Sequence, residues 1–338
     1  MDREQGRAGE GDLRRLRGLV TATILFTLAL IVVGGVVRVS DSGLGCGPAG
    51  SGLEGWPLCG GRALPLVEEN AVIEFSHRLL AGIVALLIVA IVWQARKLPR
   101  SQTLLRRGSL AAAALVLGQA VLGGLTVENN LEDELVAAHR GLAMLLLGLL
   151  LVLAWATRAE QGPARPPTAR GMRPLALAGS VLVLATVVAG GYIAGTEEEG
   201  VRNGVANGAH LACGEQFPAC LGGVLPFGDH GRLVDIQLTH RALVYATTAT
   251  MLALFGLALY RRAWSRELSL VAALLALQIL LGGLNVWLGK HPWLIVAHLT
   301  TGTLLWAASV AATLRLSPAP APLAASRARD PETSPAPA

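Results

Sequence analysis

Eight apolar runs, each about 20 residues long, recur along this chain of 338 residues. A run of that length crosses ~30 Å of hydrocarbon as an α-helix. In lipid, every backbone N–H and C=O must be bonded inside the protein, so the runs are predicted as helices. They cover residues 18–37, 74–95, 108–127, 135–157, 174–194, 233–260, 268–288 and 293–314. Composition agrees: 53% of residues are hydrophobic, only 15% are charged, and 40 glycines suit close helix packing. The first run is too long for a cleaved signal peptide, and no small-residue cleavage site follows it.

The net charge of +5 does not point to nucleic acid, because the basic residues are dispersed in short connections. They set orientation instead. Twenty of the 28 Lys and Arg fall in residues 1–17, in the connections after the second, fourth and sixth runs, and in the tail. The positive-inside rule then places both termini in the cytoplasm and the other loops outside. Four cysteines sit in the two long outer loops, Cys46 with Cys59 and Cys213 with Cys220; the second loop also carries Glu197, Glu198 and Glu199. An oxidising outer face predicts two disulfides within those loops. They are read either as loop staples or, for the first pair, as partners in thiol–disulfide chemistry.

An internal repeat divides the chain. Gly118-Gln-Ala-Val-Leu-Gly-Gly-Leu-Thr-Val127 matches Leu277-Gln-Ile-Leu-Leu-Gly-Gly-Leu-Asn-Val286, and Gly34-Gly35 matches Gly190-Gly191. Each half holds four runs, so both halves enter the membrane from the same side and the repeats are parallel. The expected architecture is all-α integral membrane, with eight transmembrane helices as two pseudo-symmetric parallel four-helix bundles. Residues 1–17 form a cytoplasmic segment, 18–157 the first bundle, 158–173 a Pro-rich cytoplasmic linker, 174–316 the second bundle and 317–338 a disordered tail.

Ionisable residues inside such runs are expensive and read as functional. Four histidines stand near the outer ends of the even-numbered runs: His77, His139, His240 and His298. The first three are followed by Arg78, Arg140 and Arg241. One interfacial histidine is commonly a helix–helix hydrogen bond. Four at repeat-related positions suggest two pairs of facing imidazoles, the arrangement that holds haem iron from both axial sides in a helical bundle. The arginines are then candidates to pair with propionates. A zinc or copper site fits less well, since no closely spaced ligand pair occurs. His210, His230 and His291 fall in outer loops and are expected to be solvated. Glu74 stands three residues before His77, on the same helix face. Gln237 holds that place before His240, so chemistry is assigned to the first half and a permanent haem to the second.

Several of these residues resemble one family. Gly34-Gly35-Val-Val-Arg38, Ser42-Gly43-Leu44-Gly-Cys46, Trp56-Pro57-Leu58-Cys59 and Glu74-x-x-His77-Arg78, with the duplicated four-helix unit, are similar to haem A synthases over about residues 15–315. The resemblance implies an oxidoreductase acting on a CH3 group, which converts a methyl of haem O to the formyl of haem A by successive hydroxylations. It implies His77 and His139 as axial ligands of the substrate haem and His240 and His298 as axial ligands of haem b. Glu74 is then the required acid, and Cys46 with Cys59 the cysteine pair of the first outer loop, which here carries an apparent insertion from Gly47 to Gly55. Expected partners are haem O and haem A, membrane lipid, an electron acceptor, haem O synthase, terminal oxidase assembly factors and a second copy of the chain. Two rival readings are a dihaem b-type electron-transfer cytochrome, which has no need of Glu74, and a transporter built from parallel repeats, which has no haem.

Overall fold

The structure is a computed structural model that describes residues 2–64, 68–158, 171–196, 208–289 and 291–317. Linker residues 159–170, Glu197, Glu198 and Glu199, and the tail beyond 317 lie outside the described residues. Eight helices are long and apolar enough to cross a membrane. They are α1 (Asp2–Val39), α2 (Glu69–Arg96), α3 (Thr103–Glu128), α4 (Asp133–Ala156), α5 (Met172–Gly195), α6 (Arg232–Tyr260), α7 (Arg266–Trp287) and α8 (Pro292–Arg315). Among the described residues there is no strand, only two isolated bridges beside Cys59 and Cys220.

Helix α1 begins well ahead of Gly18, so the polar N-terminal segment continues into the first span without a break. The reason is a stripe at helical spacing: Leu13, Leu16 and Val20 are buried in one cluster with Val84, Ile88 and Ile91 of α2. Polar contacts hold the same end. Gln94 Nε2 donates to Asp12 Oδ1 at 2.8 Å, and Arg17 Nη2 donates to the Thr157 carbonyl at 2.6 Å.

Helix α1 packs on α2 and α4, and α3 packs on the same two, which closes a ring of four. Likewise α5 packs on α6 and α8, while α7 packs on α8 and meets α6 over a short stretch. Helices α4 with α5, α4 with α8, and α1 with α8 form the seam between the rings. Lipid tails are as apolar as leucine, so such a seam depends on close packing rather than on hydrophobic exclusion. Glycines supply it. Gly141 faces Val188, Gly148 faces the Trp306 indole, and Gly35 faces Leu299. Trp306 Nε1 also donates to the Met144 carbonyl at 3.0 Å, which satisfies a buried indole across the seam. Large apolar side chains such as Leu86, Leu117 and Leu252 remain exposed on the outward faces, as lipid contact requires.

Charged groups clamp the end that carries the disulfide loops. Arg38 of α1 donates twice to the Ala194 carbonyl near the end of α5, at 2.7 and 3.1 Å. Arg232 of α6 meets Asp133 at the start of α4 at 2.6 Å. Beside this pair, a methyl group on Gly195 would collide with the Asp133 backbone. Gly195→Ala is expected to lower stability by about 1–3 kcal/mol, because backbone cannot retreat as a side chain can. Gly82→Ala, where nothing stands within 4 Å, should be neutral or slightly stabilising. Thermal unfolding of the two purified variants in detergent compares them directly.

Candidate functional site

Each of the four histidines lies well inside its helix. His77 and His240 stand eight residues beyond the first residue of α2 and α6, and His139 and His298 six beyond the first residue of α4 and α8. At ~1.5 Å of rise per residue these are depths of roughly 12 and 9 Å below the helix starts. The helices begin earlier than the apolar runs, which is why the histidines seem to open the runs in the sequence.

Every imidazole abuts a glycine on the preceding helix. A methyl group at Gly34 of α1 would stand 3.1 Å from His77 Nε2. One at Gly123 of α3 would stand 3.2 Å from His139 Cε1, one at Gly190 of α5 3.3 Å from His240 Cε1, and one at Gly282 of α7 3.2 Å from His298 Cε1. These are the first members of the Gly-Gly pairs that mark the sequence repeat. Any larger residue would press on the ring.

The imidazoles line a cavity of about 910 Å3 with largely apolar walls. His77 lies within electrostatic reach of His139, and His298 within reach of His240. His240 Nδ1 lies 3.1 Å from the Thr186 carbonyl, which orients that ring and leaves Nε2 for a ligand. His139 Nδ1 and His298 Nδ1 are buried without a hydrogen-bond partner, and Gln278 Nε2 reaches His298 Nε2 at 3.2 Å. Among the described residues no three His, Cys, Asp or Glu cluster as a bare metal-ion site. Paired imidazoles cleared by glycines in an apolar cavity fit a flat iron macrocycle with two axial ligands.

Each outer loop is fastened beside its cavity by an arginine. Arg78 donates to the Gly55 and Leu58 carbonyls at 2.7 Å each, and to Glu74 Oε1. Arg241 donates to the carbonyls of Ala219 at 2.6 Å, Gln216 at 2.9 Å and Pro218 at 3.3 Å, and lies over the Phe217 ring. Both arginines therefore commit two or more hydrogen bonds to loop carbonyls. Arg140 differs: its Nε is buried with no partner.

Both disulfides are present, Cys46–Cys59 and Cys213–Cys220. The residues between Cys46 and Cys59 fold back through a short turn at Gly52–Glu54, which brings the two Cα atoms to 4.3 Å. Trp56 then packs against α3 at Gly124, and Phe217 against α7 at Gly283. Glu74 is only 4% exposed. It is not an interfacial carboxylate in water: its Oε2 accepts from the Cys46 N–H at 2.7 Å, and Arg78 holds its other oxygen. Gln237, its counterpart, is buried with Oε1 unpartnered.

One residue departs from the sequence reading. His210 is half-buried, lines the cavity and lies within electrostatic reach of His240 and His298. Its place in a polar loop concealed this, since only the fold of residues 208–211 onto α5 and α6 brings it inward. His230 and His291 are exposed, as expected.

Fold and site together define a polytopic, all-helical membrane protein with four imidazoles turned into its interior. The chain belongs to the cytochrome oxidase assembly protein family COX15-CtaA, whose model matches residues 17–310. Similar proteins include the heme A synthase of Shouchella clausii, 28% identical over 275 residues, or 79% of this chain and 83% of that protein. The heme A synthase of Shewanella oneidensis is 28% identical over 84% of this chain and 91% of its own length. That of Symbiobacterium thermophilum is 31% identical over 63% and 66% respectively.

The knot around Arg78 makes a local prediction. Cys46 and Cys59 are 2% and 3% exposed, so reduction requires the loop to open. Arg78→Gln removes charge-assisted hydrogen bonds that each contribute about 1.5–3 kcal/mol. Thiol labelling of Cys46 and Cys59 under mild reductant should become at least ~10-fold faster, while Cys213–Cys220 labelling stays unchanged.

Proposed function

We propose that this chain is a haem A synthase, which oxidises a methyl group of haem O to a formyl group. The observation that carries this reading is the pairing of four glycine-cleared imidazoles with one buried carboxylate, Glu74, beside only one of the pairs. Two equal electron-transfer sites would have no use for that asymmetry.

The two rings of helices are read as pseudo-symmetric parallel bundles, residues 18–157 and 174–316. Both termini lie in the cytoplasm, and the cysteine loops on the oxidising outer face. His77 and His139 hold the substrate haem in the first bundle. His240 and His298 would hold haem b in the second, where it would supply a one-electron carrier. Both haem O and haem A are lipophilic, which suits a site inside the bilayer.

Methyl to formyl with water as the oxygen source releases four electrons and four protons, by two hydroxylations and loss of water from a gem-diol. The electrons leave one at a time through the second bundle to an acceptor, and the protons need a carrier. Among the described residues, Glu74 is the one carboxylate that lines the cavity. Its ties to Arg78 and the Cys46 N–H hold it aimed, so that it can take a proton or stabilise positive charge developing on the substrate. The Cys46–Cys59 disulfide fixes the backbone N–H that orients Glu74, which makes a positioning role its first contribution.

Two variants test this. Glu74→Gln retains an acceptor for the Cys46 N–H but loses the charge. Haem b content and both disulfides should persist, while haem A formation falls by ~10²-fold or more. An undiminished haem A yield would remove Glu74 from the mechanism. His240→Ala should abolish the haem b spectrum in protein that still inserts and purifies normally. Pigment extraction with and without co-expressed haem O supply reads both, because haem A should appear only when haem O is provided. Haem b alone in both samples would favour the electron-transfer cytochrome.

A further inference from the structure

Arg140 directly follows His139, so in the sequence it seems to serve the first half's site. The helix turns ~100° between neighbouring residues, and the two side chains part company. His139 points at Gly123 of α3, whereas Arg140 crosses the seam to α5. A methyl group at Gly191 would stand 3.0 Å from Arg140 Cδ and 3.4 Å from its Cβ. Gly191 adjoins Gly190, the glycine that abuts the His240 ring. Arg140 accordingly lies within electrostatic reach of His240 and His298.

Arg140 lines the cavity, and its buried Nε donates to nothing among the described residues. A guanidinium in an apolar interior is costly unless an anion meets it. Among the described residues, no cation stands at the repeat-related place on the second half. Leu299 follows His298 as Arg140 follows His139, and Leu299 faces Gly35 of α1 just as Arg140 faces Gly191 of α5. At this pair of repeat-related positions the charge is therefore one-sided, directed at the second half, whose last histidine lacks an arginine of its own.

We infer that Arg140, borne on the first half, belongs to the second half's site, where it pairs with a propionate carboxylate of the haem held between His240 and His298. The inference rests on the haem-holding reading above. It makes the second site incomplete without the first half. Neutralising a propionate favours the reduced, less positive iron, so Arg140 also raises the potential at which that haem accepts an electron.

The test uses the purified full-length holoprotein, with two readouts: the midpoint potential of the low-spin haem that His240→Ala abolishes, and the rate at which that haem transfers to apomyoglobin. Arg140→Gln should lower the potential and speed transfer by ~10-fold or more, as loss of one charge-assisted contact implies. Arg140→Lys should restore most of both. The same shifts should appear in a His77→Ala background, where the first site no longer holds its haem. Unchanged potential and transfer rate in Arg140→Gln, or shifts that vanish in the His77→Ala background, would overturn the assignment. A wild-type protein whose haem survives His240→Ala would overturn the haem-holding reading itself, and this inference with it.

Discussion

The contact of a glycine with each buried imidazole is the constraint on which the rest depends. An imidazole inside a bilayer needs room beside a neighbouring helix if it is also to face a cavity. A glycine on the facing helix supplies that room, and all four rings line the cavity. The same small residues let the helices approach closely enough to hold the ring in place. Ligand geometry and helix packing are thus one feature, which is why the Gly-Gly pairs recur wherever a histidine helix has its partner.

The arginines resolve a second problem, the outer loops. A loop over a membrane cavity has few apolar contacts to order it, and its carbonyls need donors. Arg78 and Arg241 supply them from within the helices, and each carbonyl cluster belongs to a disulfide-bearing loop. Only the first loop adds a carboxylate to the knot. Glu74 joins helix α2, the loop backbone at Cys46 and Arg78 in one network, so that charge, loop order and cavity wall are coupled there. With Gln237 in its place, the second half keeps the fastening and loses the carboxylate.

The seam gives the two halves a direction. Its packing is mostly apolar, with Trp306, Val188 and Leu299 against glycine or backbone, yet Arg140 crosses from the first half toward the second. Outer clamps, Arg38 on the end of α5 and Arg232 on the start of α4, fix the separation of the two sites. The function proposed above, in which electrons released in one half are collected in the other, would benefit from such a fixed, polarised junction.

The spans, the four histidines and the cysteine pairs were legible in the sequence because lipid and redox environment act locally on composition. Apolar length specifies a spanning helix whatever it packs against, and an intramembrane histidine stands out in any fold. That α1 begins ahead of Gly18 was not legible, because Leu13 and Leu16 are buried only in the company of α2, which a linear reading does not see. His210 was missed for the same reason. The tertiary structure alone decided where each arginine points. Arg78, Arg140 and Arg241 read identically beside their histidines, yet two fasten loops and one crosses the seam. A residue's own sequence neighbours fix its helix position, but its partners are set by the helices that pack around it.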